Sequence, residues 1–225
     1  MPEKTAPAVP ASTTSRSRSS VLAILGCGSA ALVVVCALVA LAWGSTTDFP
    51  RVAPEEMADR AFQRSQEAYD VMGFTRTVEP GVEDIGVSTE NTLGSGHCYG
   101  GGLLDLDETV DGAYRMSHSW ALDRVPASRA VPGLRRLHRQ LADEGWEVTS
   151  YREGGTAGDW DLFVQRDGGD ERMSFTWFPD REYFMGGATG PCASDPGRKD
   201  GDVGPSGDGL WPPALGPAQR GPRHP

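Results

Sequence analysis

The sequence predicts an α+β fold: one transmembrane helix followed by a small extracytoplasmic domain in which an antiparallel sheet of four to five strands is covered on one face by two helices. Three observations lead there. Residues 21–43 are almost unbroken apolar chain, residues 114–122 alternate with the period of a strand, and two later segments carry apolar stripes at helical spacing.

The apolar segment "VLAILGCGSAALVVVCALVALAW" contains no charged residue. At about 1.5 Å per residue it would make roughly 34 Å of helix, enough to cross a ~30 Å hydrocarbon core with some tilt. Lys4, Arg16 and Arg18 precede it, whereas Asp48, Glu55 and Glu56 crowd its far side. Positive residues stay inside, which places the N-terminus in the cytoplasm and the rest outside the cell membrane. A cleaved signal peptide is the competing reading, because "ALA" at Ala40 to Ala42 has the small-x-small form of a cleavage site. The run exceeds the usual apolar length of a signal peptide, so an uncleaved single-pass anchor is expected. A lipoprotein reading through "ILGC" at Cys27 has too little apolar chain before the cysteine. Within the span, Gly26 and Ala30 are a small-xxx-small pair that would let two such helices meet as a weak homodimer.

Four segments result: a disordered, Ser/Thr-rich cytoplasmic tail over 1–20, the span over 21–43, the α+β domain over 44–192, and a disordered Pro/Gly-rich tail over 193–225. The last has seven prolines and seven glycines and little apolar content beyond Leu210, Trp211 and Leu215. The net charge of the chain is −10, and residues 44–192 hold −12 of it, with 26 acidic residues against 14 basic. Such a surface repels nucleic acid and anionic polymers and favours cations or basic partners.

Inside the domain, "PEEMADRAFQRSQEAYDVMG" reads as a helix. Pro54 suits the first turn, Glu55 and Glu56 complement the N-terminal dipole, Met57, Ala61, Ala68 and Met72 share a stripe, and Gly73 is placed to end it. Thr75 to about Leu104 carries little helix or strand signal. Tyr114, Met116, His118, Trp120 and Leu122 then alternate with smaller or polar residues, as in a strand with one buried face. A second helix follows, with Leu134, Leu137 and Leu141 on one stripe. Pro132 should lie in its first turn, and Gly145 with Trp146 should close it by a Schellman contact onto Leu141. "WEVTSY", "DWDLFVQRD", "ERMSFTWFP" and a shorter "EYFMGG" supply the remaining strands. "DGGD" turns the second into the third, so that Trp160, Leu162 and Val164 face Met173, Phe175 and Trp177.

The stretch "GSGHCYGGGLLDLDETVDG" from Gly94 to Gly112 concentrates glycine, histidine, cysteine and acid. Cys27 and Cys36 fall in the span, on opposite faces of one helix, so Cys98 and Cys192 are left to bracket the sheet. In an extracytoplasmic domain that pair most simply forms one disulfide. The alternative is a free, reactive Cys98 with His97 or His118 as base, which the setting opposes. Asp107, Thr109, Asp111 and Gly112 resemble half of a calcium loop, but position 12 is His118 where a bidentate Glu belongs. No spacing suits zinc, and the glycines lack the Lys-Ser/Thr of a P-loop and the form of a nucleophile elbow. No catalytic residue, metal or cofactor is therefore expected.

The short basic tail, one Ala/Val/Leu-rich span, the helix "LRRLHRQLADEGWEV", the ending "GPC" and the Pro/Gly tail together resemble uncharacterised single-pass membrane-anchored or secreted extracytoplasmic proteins of high-GC Gram-positive (actinobacterial) type. That resemblance implies a cell-envelope location and brings no catalytic residues. The expected function is thus a membrane-anchored envelope protein, non-catalytic, whose partners are membrane lipid through residues 21–43 and an envelope protein or ligand bound by the domain. The alternative is an envelope enzyme using acidic residues or a reactive Cys98.

Overall fold

The structure is a computed structural model in which residues 48–100, 108–154, 158–199, 202 and 204–217 are described. The expected span, the basic tail, Cys27, Cys36, Gly26, Ala30 and Asp107 lie outside them. Among the described residues no helix is long and apolar enough to cross a membrane.

Helix α1 covers Pro54–Met72 and helix α2 covers Ala127–Asp143. Among the described residues eight strands accompany them: β1 (Gly81–Val82), β2 (Glu90–Tyr99), β3 (Thr109–Leu122), β4 (Glu147–Arg152), β5 (Trp160–Arg166), β6 (Glu171–Phe178), β7 (Tyr183–Thr189) and β8 (Ala193–Ser194). The sheet is antiparallel, in the order β1-β2-β3-β7-β6-β5-β4, with β8 paired to the start of β3. The α+β class and the two helices stand as expected, and the sheet is larger than the four to five strands predicted.

Helix α1 starts and ends where its sequence requires. Pro54 occupies the first turn behind an extended Ala53, and Gly73, at φ 73°, donates its N–H to Asp70 O to close the last turn. Met57, Ala58, Ala61, Ser65, Ala68, Tyr69 and Met72 are buried against the sheet. Helix α2 buries Ala130, Gly133, Leu134, Leu137 and Leu141. Its end is a Schellman motif: Gly145 (φ 82°) donates to Ala142 O at 3.1 Å and Trp146 to Leu141 O at 2.9 Å.

Pro132 departs from expectation, because the helix begins at Ala127 and the proline lies in its second turn. A proline there lacks the N–H that would have reached the carbonyl of Ser128. Ser128 is exposed, so water can satisfy the orphan acceptor at little cost.

The predicted hairpin register is the observed one, with Trp160 opposite Trp177, Leu162 opposite Phe175 and Val164 opposite Met173. Its tight connection is a single 3-10 turn, Asp167–Gly169, in which all three residues have positive φ. Alternation in β3 buries Tyr114, Met116, His118, Trp120 and Leu122 on the helix-bearing face.

Two expectations are corrected. The segment expected to be poor in structure contains β1 and the ten-residue β2, which pairs with β3 from Glu90 opposite Ala121 to His97 opposite Tyr114. Its glycines and serines hide the alternation that a strand normally displays. The Pro/Gly tail also packs: β8 lies within it, Leu215 is fully buried, and Val78 and Leu215 exchange both backbone hydrogen bonds. Two helices cannot cover so wide a sheet, and residues 204–217 cover the inner face of β2 instead.

Candidate functional site

The glycine- and histidine-rich stretch is β2 itself. Cys98, next to last in the strand, is fully buried and meets Cys192 at disulfide distance, with Cα atoms 6.0 Å apart. Arg115 Nη2 lies 3.5 Å from Cys192 Sγ. Buried and at bridging distance from Cys192, Cys98 is not presented as a free thiol beside His97 or His118. His97 is exposed beside it, and His118 is fully buried, making one hydrogen bond through Nε2 to Asn91 Oδ1 at 2.7 Å. Burial lowers the pKa of His118 to about 4.

The remaining candidates have structural partners. Asp111 of the calcium-like stretch pairs with Arg198 at 3.2 Å, and Arg198 also donates to Gly204 O and Asp202 O. Gly94 and Gly96 are strand residues, and at Gly94 the missing side chain leaves room for Ser117 Oγ, which would lie 3.1 Å from a Cβ. Among the described residues no three His, Cys, Asp or Glu groups converge as a metal site.

A different place has the form of a binding site. Between α1, the end of α2 and strands β6 and β7 lie two hollows of about 170 and 400 Å³ that share Arg64, Glu67, Trp146 and Met173 in their walls. Arg60, Gln63, Glu171, Arg172 and Thr189 line the first, and Val71, Leu137, Gln140 and Glu144 the second. Trp146 is buried at the junction, placed there by the Schellman turn. The Arg166 guanidinium lies 4.3 Å from the centre of its ring and that of Arg64 5.9 Å. Its indole N–H has no partner, although a buried donor ordinarily finds one.

Glu67 and Glu171 are two carboxylates in one cleft, the arrangement an acid-dependent enzyme would need. Arg64 stands between them, 3.3 Å from Glu67 and 3.8 Å from Glu171. The longer contact is an ion pair without a hydrogen bond, and Glu171 Oε2 is otherwise unpartnered.

A second polar cluster ties α2 to the sheet. Arg135 holds Glu153 through two hydrogen bonds of 2.9 and 2.8 Å, and the Tyr151 hydroxyl donates to the same carboxylate at 2.7 Å. His138 stacks on Tyr151 with centroids 4.0 Å apart. The hydrogen bonds from Arg135 and then Tyr151 pull the Glu153 pKa down to about 2, while burial and then Glu153 push Tyr151 up to about 12. Each group is held in its resting protonation state, so this is a clamp and not a proton-transfer pair.

Sequence reasoning missed the groove because its residues come from four elements with no common motif. Trp146 was visible only as a helix-ending contact. Compared with models of protein families, with curated proteins and with solved structures, the chain has no match.

Proposed function

We propose that the chain is a single-pass cell-envelope protein, N-terminus cytoplasmic and domain extracytoplasmic, whose domain binds a partner or ligand and catalyses no reaction. The apolar run over 21–43 and its charged flanks support the anchor and its orientation. The observation that carries the binding reading is Trp146: a buried indole N–H without an acceptor, at the junction of two hollows walled by arginine, glutamate and methionine. A bound segment offering a carbonyl or carboxylate to that N–H and to Arg64 or Arg172 would satisfy the groove, and its apolar part would lie on Met173 and Leu141.

An enzyme built on Glu67 and Glu171 is the weaker reading, since Arg64 is already shared between them.

The test is site-specific photocrosslinking of the full-length protein in its own membranes, with the reactive group at Gln63 in the groove or at Phe163 on the opposite sheet face. A discrete adduct from Gln63, lost in Arg64→Glu and absent from Phe163, is the expected outcome. Adducts from Phe163 alone would move the site, and none from either position would count against the binding reading. Alkaline carbonate washing should leave the protein in the membrane pellet, and its release would overturn the anchor.

A further inference from the structure

The segment 204–217 runs along the inner face of β2. Ser95 donates to Asp208 at one end, Leu210 packs beside Met57 and Met116, and Gly216 exchanges two hydrogen bonds with Gln66 of α1 at the other. Between these ends, Asn91 is the fastening. It is fully buried and donates through Nδ2 to Val78 O and to Pro213 O, both at 2.9 Å.

Those two bonds settle the chemistry of the neighbouring ring. Carbonyls only accept, so the amide nitrogen of Asn91 must face them and its oxygen must face His118. The contact of 2.7 Å therefore needs the proton on His118 Nε2, which leaves Nδ1 as a bare acceptor, and that atom is buried without a partner. A second proton would have to go there, in a place with no acceptor and no counter-charge.

The surroundings offer none. From α1 the ring meets Phe62 edge-on at 5.1 Å; the acidic and basic residues of that helix near it, Asp59, Arg60 and Glu67, are exposed, and Arg64 turns to Trp146. Across the ladder its partners are Leu93 on β2 and Ala188 on β7, and β7 carries no charged residue. On its own strand, Arg115 reaches the disulfide. His97, further along β2, is exposed, and Asp208 is engaged by Ser95.

We propose that residues 204–217 are a strap latched through Asn91 to neutral His118, and that protonation of His118 releases it, uncovering Val78, Asn91 and Leu93 on the inner face of β2. Protonation favours whichever state lets the imidazolium reach water, and the strap is fastened to the same Asn91 side chain to which the ring donates. Burial alone holds the ring at about pH 4, against about 6.5 when it is solvated. The population with the strap open should accordingly rise about 30-fold between pH 7.5 and pH 5.

Hydrogen exchange of the full-length protein in detergent micelles, corrected for the intrinsic pH dependence of exchange, reads this directly. Peptides covering 76–80 and 204–217 should lose protection about 30-fold relative to those of α2, and His118→Gln should flatten the response. A tail whose protection follows α2 at every pH, or a His118→Gln protein with the wild-type response, would overturn the proposal. Should that variant not fold, ring-labelled histidine spectra of the wild type decide: His118 titrating well below 6.5 in step with the loss of protection over 204–217 supports the latch, and titration with no change in that segment overturns it.

Discussion

Gly186 stands directly opposite Trp120 on one side and Phe175 on the other, at the centre of the β3-β7-β6 ladder. A Cβ there would fall 2.5 Å from Trp120 Cζ2 and 2.8 Å from Phe175 Cδ1. The missing side chain is what lets the Trp120 indole lie flat against Phe184, with centroids 5.6 Å apart and planes within 6°. Trp120 also meets Tyr69 and Phe74 edge-on, so one glycine sets the packing of the aromatic core on which α1 rests.

Gly186→Ala should therefore destabilise the domain by about 1–3 kcal/mol, since both rings are fully buried and neither can retreat. Urea unfolding followed by tryptophan fluorescence measures it. A midpoint equal to wild type would mean that the core is looser than this packing implies.

The disulfide closes a long loop, with a sequence separation of 94. On the chain-entropy account its loss costs about 4 to 5 kcal/mol. Cys98→Ser should lower the thermal midpoint strongly, and both thiols of the wild type should resist alkylation until a reductant is added. Rapid alkylation of either cysteine in the native protein would contradict the bridge.

Leu215 tests the tail. It is fully buried in the main core cluster, although it lies 23 residues beyond the last cysteine in a segment dominated by proline and glycine. Leu215→Ala should cost about 2–5 kcal/mol, whereas Trp211→Ala, at a side chain 69% exposed, should cost little. Equal and small effects would return the tail to the disordered state its composition suggests.

The contrast between these positions shows what was legible in the sequence. Trp160, Leu162 and Val164 announced their strand because large apolar residues alternated with polar ones, and Gly145 announced the end of α2 because only one kind of turn wants glycine there. Strand β2 gave no such sign. Its inner-face residues include Asn91, Leu93 and Ser95, and what buries Asn91 and half-covers the other two is the strap brought back across them from the far end of the chain. The tail was misread for the matching reason: Leu215 is a lone apolar residue whose site is built by Val78. Local composition cannot report a surface assembled from two segments more than 110 residues apart. The groove around Trp146 was hidden in the same way, whereas the Cys98–Cys192 pair could be found by elimination.

The pH dependence of stability should fall into two windows. His118 has a folded-state pKa of about 4, below its ordinary 6.5, so the unfolded chain binds its proton first as the pH falls. The stability it contributes is complete above pH 6.5 and is lost between there and about pH 4. The loss amounts to about 3 kcal/mol, undiminished by solvent because the ring is fully buried. Glu153, held at about 2 by Arg135 and Tyr151 against an ordinary 4.5, acts later: its contribution is present above pH 4.5 and disappears as the pH falls towards 2. Urea midpoints taken from pH 7.5 to 3 should thus descend first in a step that His118→Gln removes, then in a step that Glu153→Gln removes. Only the second should weaken in high salt, because the clamp is exposed and the histidine is not. A single descent beginning below pH 4.5, unchanged by His118→Gln, would show that the ring accepts its proton in the folded domain without penalty, and that Nδ1 has a partner after all.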